Sequence, residues 1–125
     1  MRTILGVMVA GSLGAASRYW VDGVVSQHTS GSLPWGTFVV NVSACLLLGL
    51  IFTVTTERAV VSPSMRLALT TGFVGSYSTF STLMLESVRL AEDGAYVFAL
   101  VNTVGSMIAG VVAVSVGILV GRALV

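Results

Sequence analysis

Four long stretches of the chain contain no Asp, Glu, Lys or Arg: Thr3 to Ser17, Gly23 to Thr56, Leu67 to Leu85 and Gly94 to Gly121. A spanning helix needs about 20 mostly apolar residues, and the first stretch reaches that length by running past Arg18 to Val21. The second contains His28-Thr29-Ser30-Gly31-Ser32-Leu33-Pro34, a turn-like run that reads as a loop and leaves Trp35 to Thr56 as helix. The pattern predicts an all-α membrane protein with four transmembrane helices at about 3–21, 35–56, 66–90 and 95–121, forming a single membrane domain over 1–125. Arg2 ahead of an apolar run, with Ala15 and Ala16 after it, has the outline of a signal peptide. Cleavage there would leave three more spans and nothing to secrete, so the stretch is read as a span.

Composition supports a membrane class. The 125 residues are 55% hydrophobic and 9% charged, whereas an ordinary soluble domain is about 25% charged and covers itself with that charge. The six basic residues are all Arg and the net charge is +1, so nothing suggests a nucleic acid partner. Cys45 and His28 are single, which excludes an intrachain disulfide and a thiolate metal cluster. They also lie on different elements, and no nucleophile sits with a base and an orienting acid, so the chain does not read as an enzyme. Four spans put Arg2, Arg58, Arg66 and Arg122 on one side and Arg18 and Arg89 on the other. This is a weak bias toward cytoplasmic termini, compatible also with insertion in both orientations. Trp20, Trp35 and Tyr96 at helix ends read as an aromatic belt.

Small residues recur at helical spacing. Gly105, Ala109, Ala113, Gly117 and Gly121 mark one face of the last span, and Gly6, Ala10 and Gly14 a shorter one on the first. Such faces let another helix backbone come close. Polar residues inside the spans are a sharper signal, because a side chain that needs hydrogen bonds is costly in hydrocarbon unless it meets a partner, a cavity or a ligand. Thr37 and Asn41 sit four apart, as do Asn102 and Ser106, so each pair predicts a short polar track on one helix face. The third span is densest: Thr70, Thr71, Gly72, Gly75, Ser76, Tyr77, Ser78, Thr79, Phe80, Ser81 and Thr82. Two glycines among hydroxyl residues predict a helix broken near mid-membrane, where irregular backbone is tolerated only if buried or lining a cavity. Freed carbonyls there suit a cation, and the new helix N-terminus suits an anion. The plainer alternative is a kinked helix whose hydroxyls bond back to their own turn.

Gly72-Phe73-Val74-Gly75-Ser76-Tyr77-Ser78-Thr79-Phe80-Ser81-Thr82 resembles the central signature of the CrcB/Fluc fluoride channels, usually GFxGGxTTFSTF. Gly11-Ser12-Leu13-Gly14-Ala15-Ala16-Ser17-Arg18-Tyr19 resembles the family's first-helix motif, and Trp35-Gly36-Thr37-Phe38-Val39-Val40-Asn41 resembles its GTLxVN motif. The order of motifs, the length and the helix number extend the resemblance over the whole chain. It implies a passive, fluoride-selective channel of the plasma membrane that relieves fluoride toxicity, built as a dual-topology dimer of antiparallel subunits with two pores and a structural sodium ion. By resemblance, Asn41, Phe80, Ser81 and Thr82 line the anion path, and Thr37, Asn102 and Ser106 match a polar track. The backbone carbonyls of Gly75 and Ser78 would hold the sodium, Arg18 would sit near a pore mouth, and Glu86 in a vestibule.

The residues support that chemistry on their own. Fluoride holds water tightly, so a pore must replace hydration with donors such as Asn amides and Ser or Thr hydroxyls. A Phe ring has a positive edge that meets an anion without trapping it, although a membrane Phe more commonly only packs. Arg18 near a helix end also suits snorkelling to the headgroups, and Asp22, one turn later, is placed to pair with it. Among the departures from the signature, Leu83 stands where a second Phe is usual, on the face of Phe80, and Ser76 replaces a glycine. These departures leave open a heterodimer with a second family member beside the homodimer. A proton-coupled exporter of the small multidrug type is an alternative, but it needs a carboxylate deep in the first helix, and Thr3 to Ser17 has none. A non-transporting assembly subunit would explain the small-residue faces but not the polar tracks.

Overall fold

The computed structural model describes residues 1–57 and 61–125, so Arg58, one of the orientation-setting arginines, lies outside the described residues. Every regular element among the described residues is helical. Helix α1 is Arg2–His28 and α2 is Trp35–Glu57. Helix α3 covers 63–77, with wide π-type turns over Ala68–Val74; α4 is Phe80–Glu92; and α5 is Tyr96–Ala123, with a second π stretch over Val101–Gly105. By length and composition, α1, α2 and α5 can each cross a membrane.

Helix α1 runs seven residues past its predicted end at Val21. Asp22 does not stop it, because the polar residues of its last turns bond back to the helix: the Thr29 hydroxyl donates to the Val25 carbonyl at 2.9 Å, and His28 Nδ1 lies 2.8 Å from the Val24 carbonyl. Local chemistry sets the other ends. Ser62 caps α3 by accepting from the Met65 N–H at 3.2 Å, with Pro63 at the first helical position, where a missing N–H costs nothing. Gly94, with φ of +78°, closes α4. Its N–H donates to the Ala91 carbonyl at 3.0 Å and the Ala95 N–H to the Leu90 carbonyl at 2.8 Å, a two-bond Schellman ending that needs the left-handed glycine.

Packing divides the helices into two pairs. Helix α2 makes its most extensive contact with α5, and α1 with the π stretch of α3; α1 and α2 join the pairs. The small-residue faces lie in these contacts. A Cβ on Gly117 would run into the Leu46 carbonyl, one on Gly49 into the Val114 carbonyl, and one on Gly14 into the Phe73 carbonyl. Backbone therefore meets backbone, as small residues permit. Buried apolar residues are few, with Val40, Ala44, Val74 and Tyr77 at the centre, while large apolar side chains such as Leu13, Phe52 and Val111 are more than half exposed. That surface suits hydrocarbon better than water.

Two glycines give opposite expectations. Gly117→Ala should lower stability by about 1–3 kcal/mol through overpacking, whereas Gly23→Ala, with open space around it, should raise it by roughly 0.5–1 kcal/mol through helix propensity. Thermal unfolding of both variants in one detergent checks the pair.

Candidate functional site

The α-helical backbone does not stop at the glycines of the third stretch. Gly72 lies within the π turns, where a Cβ would press on the Val7 carbonyl, so it serves the contact with α1. The helix ends at Tyr77, Ser78 and Thr79 are extended, and helix resumes at Phe80. The functional geometry is built around this two-residue step.

Asn41 reaches it from α2. Its Oδ1 accepts from the Thr79 N–H at 2.7 Å, and its Nδ2 donates to the Thr79 carbonyl at 3.0 Å. One side chain thus satisfies the Thr79 N–H, which no helix engages, and adds a second donor to a carbonyl that, at the N-cap of α4, also accepts the first bond of that helix. The Thr79 hydroxyl lies 2.8 Å from the Thr82 hydroxyl and accepts a long, 3.4 Å bond from the Thr82 N–H, capping α4. An Asn41 variant is therefore expected to disturb the step itself.

Other predicted site residues find partners within the chain. The Thr37 hydroxyl, 3% exposed, donates to Glu86 Oε1 at 2.7 Å, and Glu86 Oε2 is buried without a partner. Asn102 Nδ2 donates to the Ser87 hydroxyl at 3.0 Å, which in turn donates to the Leu83 carbonyl at 2.8 Å. Ser106 is 7% exposed, and its hydroxyl has no partner among the described residues. Phe80 and Ser81 are exposed, Thr82 is half-buried and Leu83 is buried.

A cavity of about 470 Å³ gathers Asn41, Ser78, Phe80, Leu83 and Ser106, with Cys45 and Gly110 in its wall. A polar recess of about 150 Å³ holds Arg18, Tyr19, Asp22, Thr37, Thr79 and Thr82. Asn102 faces neither; it lines a third cavity of about 230 Å³ with Trp35 and Phe38. The single track predicted for Asn102 and Ser106 is therefore split. Asn102 lies in the π stretch that ends just before Ser106, and bonds that reach five residues instead of four take positions four apart out of line. Ser81, Glu86 and Gly75 line none of these three cavities.

Asp22 does not form the ion pair with Arg18 placed there by spacing; the described residues show no such pair. Its carboxylate lies against Gly36 in the first turn of α2, where a Cβ would strike it, and accepts from the Ser26 hydroxyl at 3.4 Å. An acid is favoured at that positive helix end. Sequence reasoning missed Thr79 and Ser87 as structural hubs. A threonine before a helical run is a capping signal that marks Thr79, whereas Ser87 carries no local signal.

Helices long enough to span a bilayer, set around mainly apolar cavities into which a few amide and hydroxyl groups open, define a polytopic membrane protein. A family model described as CrcB-like protein, Camphor Resistance (CrcB) matches residues 5–118, and the chain belongs to that family. It is 40% identical over 124 residues to a fluoride-specific ion channel FluC of Citrifermentans bemidjiense, covering 99% of this chain and 100% of the relative. It is 39% identical, with the same coverage, to a protein of that name from Geobacter sp. (strain M21), and 40% identical over 121 residues to one from Acidobacterium capsulatum, covering 97% of each.

Thr37→Val should cost about 1–3 kcal/mol by leaving a second Glu86 oxygen without a donor, toward the lower end because Glu86 is only half-buried. The double variant Thr37→Val with Glu86→Met should recover most of that loss. Thermal unfolding of the two variants against the wild type checks this.

Proposed function

We propose that the chain is a passive, fluoride-selective ion channel of the plasma membrane that lets fluoride leave the cell and so relieves its toxicity. One observation carries the reading: a buried Ser106 hydroxyl without a partner shares a cavity with Asn41 and Phe80, in a chain 40% identical over 99% of its length to a protein named fluoride-specific ion channel FluC.

A fluoride ion gives up water only where donors replace it. Asn41 spends one amide hydrogen on Thr79 and keeps the second. Ser106 offers its hydroxyl, and the exposed Phe80 ring offers a positive edge. None carries a full charge, so the ion is bound weakly enough to leave. Ser81, Thr82, Thr37 and Asn102 extend this path, Leu83 forms its apolar wall, Arg18 stands at a mouth, and Glu86 stands in a vestibule. In this reading α3 and α4 form one third transmembrane segment, and the Ser78–Thr79 step lies near mid-membrane.

The carbonyls of Gly75 and Ser78 suit a structural sodium ion. Ser78 N–H bonds to the Val74 carbonyl at 3.0 Å and the next amide, that of Thr79, is taken by Asn41. The carbonyls from Gly75 on therefore lie at the negative end of α3, beyond its own donors. Two oxygens do not complete a shell for a hard cation. A second, antiparallel copy would supply a matching pair, so we read the functional unit as a dual-topology homodimer. Leu83 in the cavity wall, where the family signature has Phe, favours a second reading: a heterodimer whose partner supplies the missing aromatic edge. The proton-coupled exporter has no comparable support, because α1 carries no carboxylate between Thr3 and Ser17.

Purified chain in liposomes should release fluoride without a proton gradient and retain chloride. Ser106→Ala should lower fluoride release by about tenfold, the scale of one hydrogen bond to an ion, without lowering the melting temperature, since no partner is lost. Folded chain that is silent alone but active with a second family member would favour the heterodimer. Release that requires a proton gradient would overturn the channel reading.

A further inference from the structure

Thr79 has three polar commitments in one buried residue. It is 8% exposed; its N–H and carbonyl both bond the Asn41 carboxamide, and its hydroxyl engages the first turn of α4 through Thr82. The residues on either side of that grip, Ser78 and Phe80, line the 470 Å³ cavity, while Thr79 and Thr82 line the polar recess. We infer that Thr79 is a positioning residue: it fixes the rotation of α4 about its axis and so aims the Phe80 ring into the cavity. The inference rests on the channel reading for what the ring faces, but not for how it is held.

The first amides of α4 have no partner within the helix. Without the Thr79 oxygen, the first turn can unwind or turn toward another acceptor. Phe80 is the first residue of that turn and more than half exposed, so little side-chain packing opposes its displacement. The hydroxyl also acts on Thr82. If Thr79 donates, the Thr82 hydrogen is free for another acceptor; if Thr82 donates, that hydrogen is consumed. Either way the state of Thr82 is set by Thr79.

The test uses Thr79→Val, which keeps shape and backbone but removes the hydroxyl, and Thr79→Ser, which keeps the hydroxyl. Thr79→Ala and Thr79→Asn repeat the contrast should the valine variant fail to fold, since Asn caps and Ala does not. Full-length protein in lipid nanodiscs is read by amide hydrogen exchange over residues 80–83, and the same protein in liposomes by the fluoride-to-chloride permeability ratio. The variants without a cap should exchange about fivefold faster over that turn, the scale of one lost cap, and their permeability ratio should fall, while Ser and Asn stay near wild type. A residue that only supported folding would reduce the yield of folded protein without changing the ratio. Unchanged exchange in Val and Ala would overturn the inference, as would Ser behaving like Val. Wild-type protein with no fluoride release would defeat the channel reading alone, because the exchange contrast is measured without any ion.

Discussion

A peptide segment that leaves one helix where water is scarce must find another partner for its N–H, and at Thr79 the Asn41 carboxamide supplies it while also donating to the carbonyl that opens α4. The rest of the interior depends on this pairing. Asn41 belongs to α2, which is locked to α5; Thr79 belongs to the chain that continues α3, which is locked to α1. The two bonds therefore fasten the two helix pairs to each other at the point where the third segment changes direction. They also let the segment stop at Tyr77 without leaving the Thr79 N–H orphaned.

Around that pairing the polar side chains form short, separate links. Thr37 meets Glu86, and Asn102 meets Ser87. Each removes a donor from the interior surface. Among the described residues, the fully buried side-chain polar atoms left without a partner are one carboxylate oxygen of Glu86 and the hydroxyl of Ser106. Counting hydroxyls along the sequence overstates the donors available to an ion, because a polar residue inside a membrane helix often serves another residue of the same chain.

The apolar stretches, the loop read at His28 to Pro34, of which His28 proves helical, and the close-packed glycine faces are legible because each follows from local spacing. The motifs around Asn41 and Phe80 were legible as a family pattern, and the structure brings Asn41, Phe80, Leu83 and Ser106 to one cavity. The end of α1 expected at Val21 falls short, because the helix continues through Asp22 to His28. Gly72 and Gly75 suggest a break, yet both are helical; Gly72 serves the close contact with α1 instead, and the extended residues are Ser78 and Thr79. The separation of Asn102 from Ser106 was out of reach, because spacing arguments assume a constant helical repeat and α5 changes its repeat over Val101–Gly105.

The glycine contacts bear on how this molecule can work. Where Gly49 and Gly117 set backbone against backbone, no layer of side chains lies between α2 and α5 to slide or repack. At that contact α2 and α5 form one stiff plate, and both line the 470 Å³ cavity, so that wall keeps a nearly fixed shape. In the channel proposed above, neither of those helices would serve as a swinging gate. Throughput would follow the supply of ions at the two ends, and discrimination would be written into geometry set once, at folding.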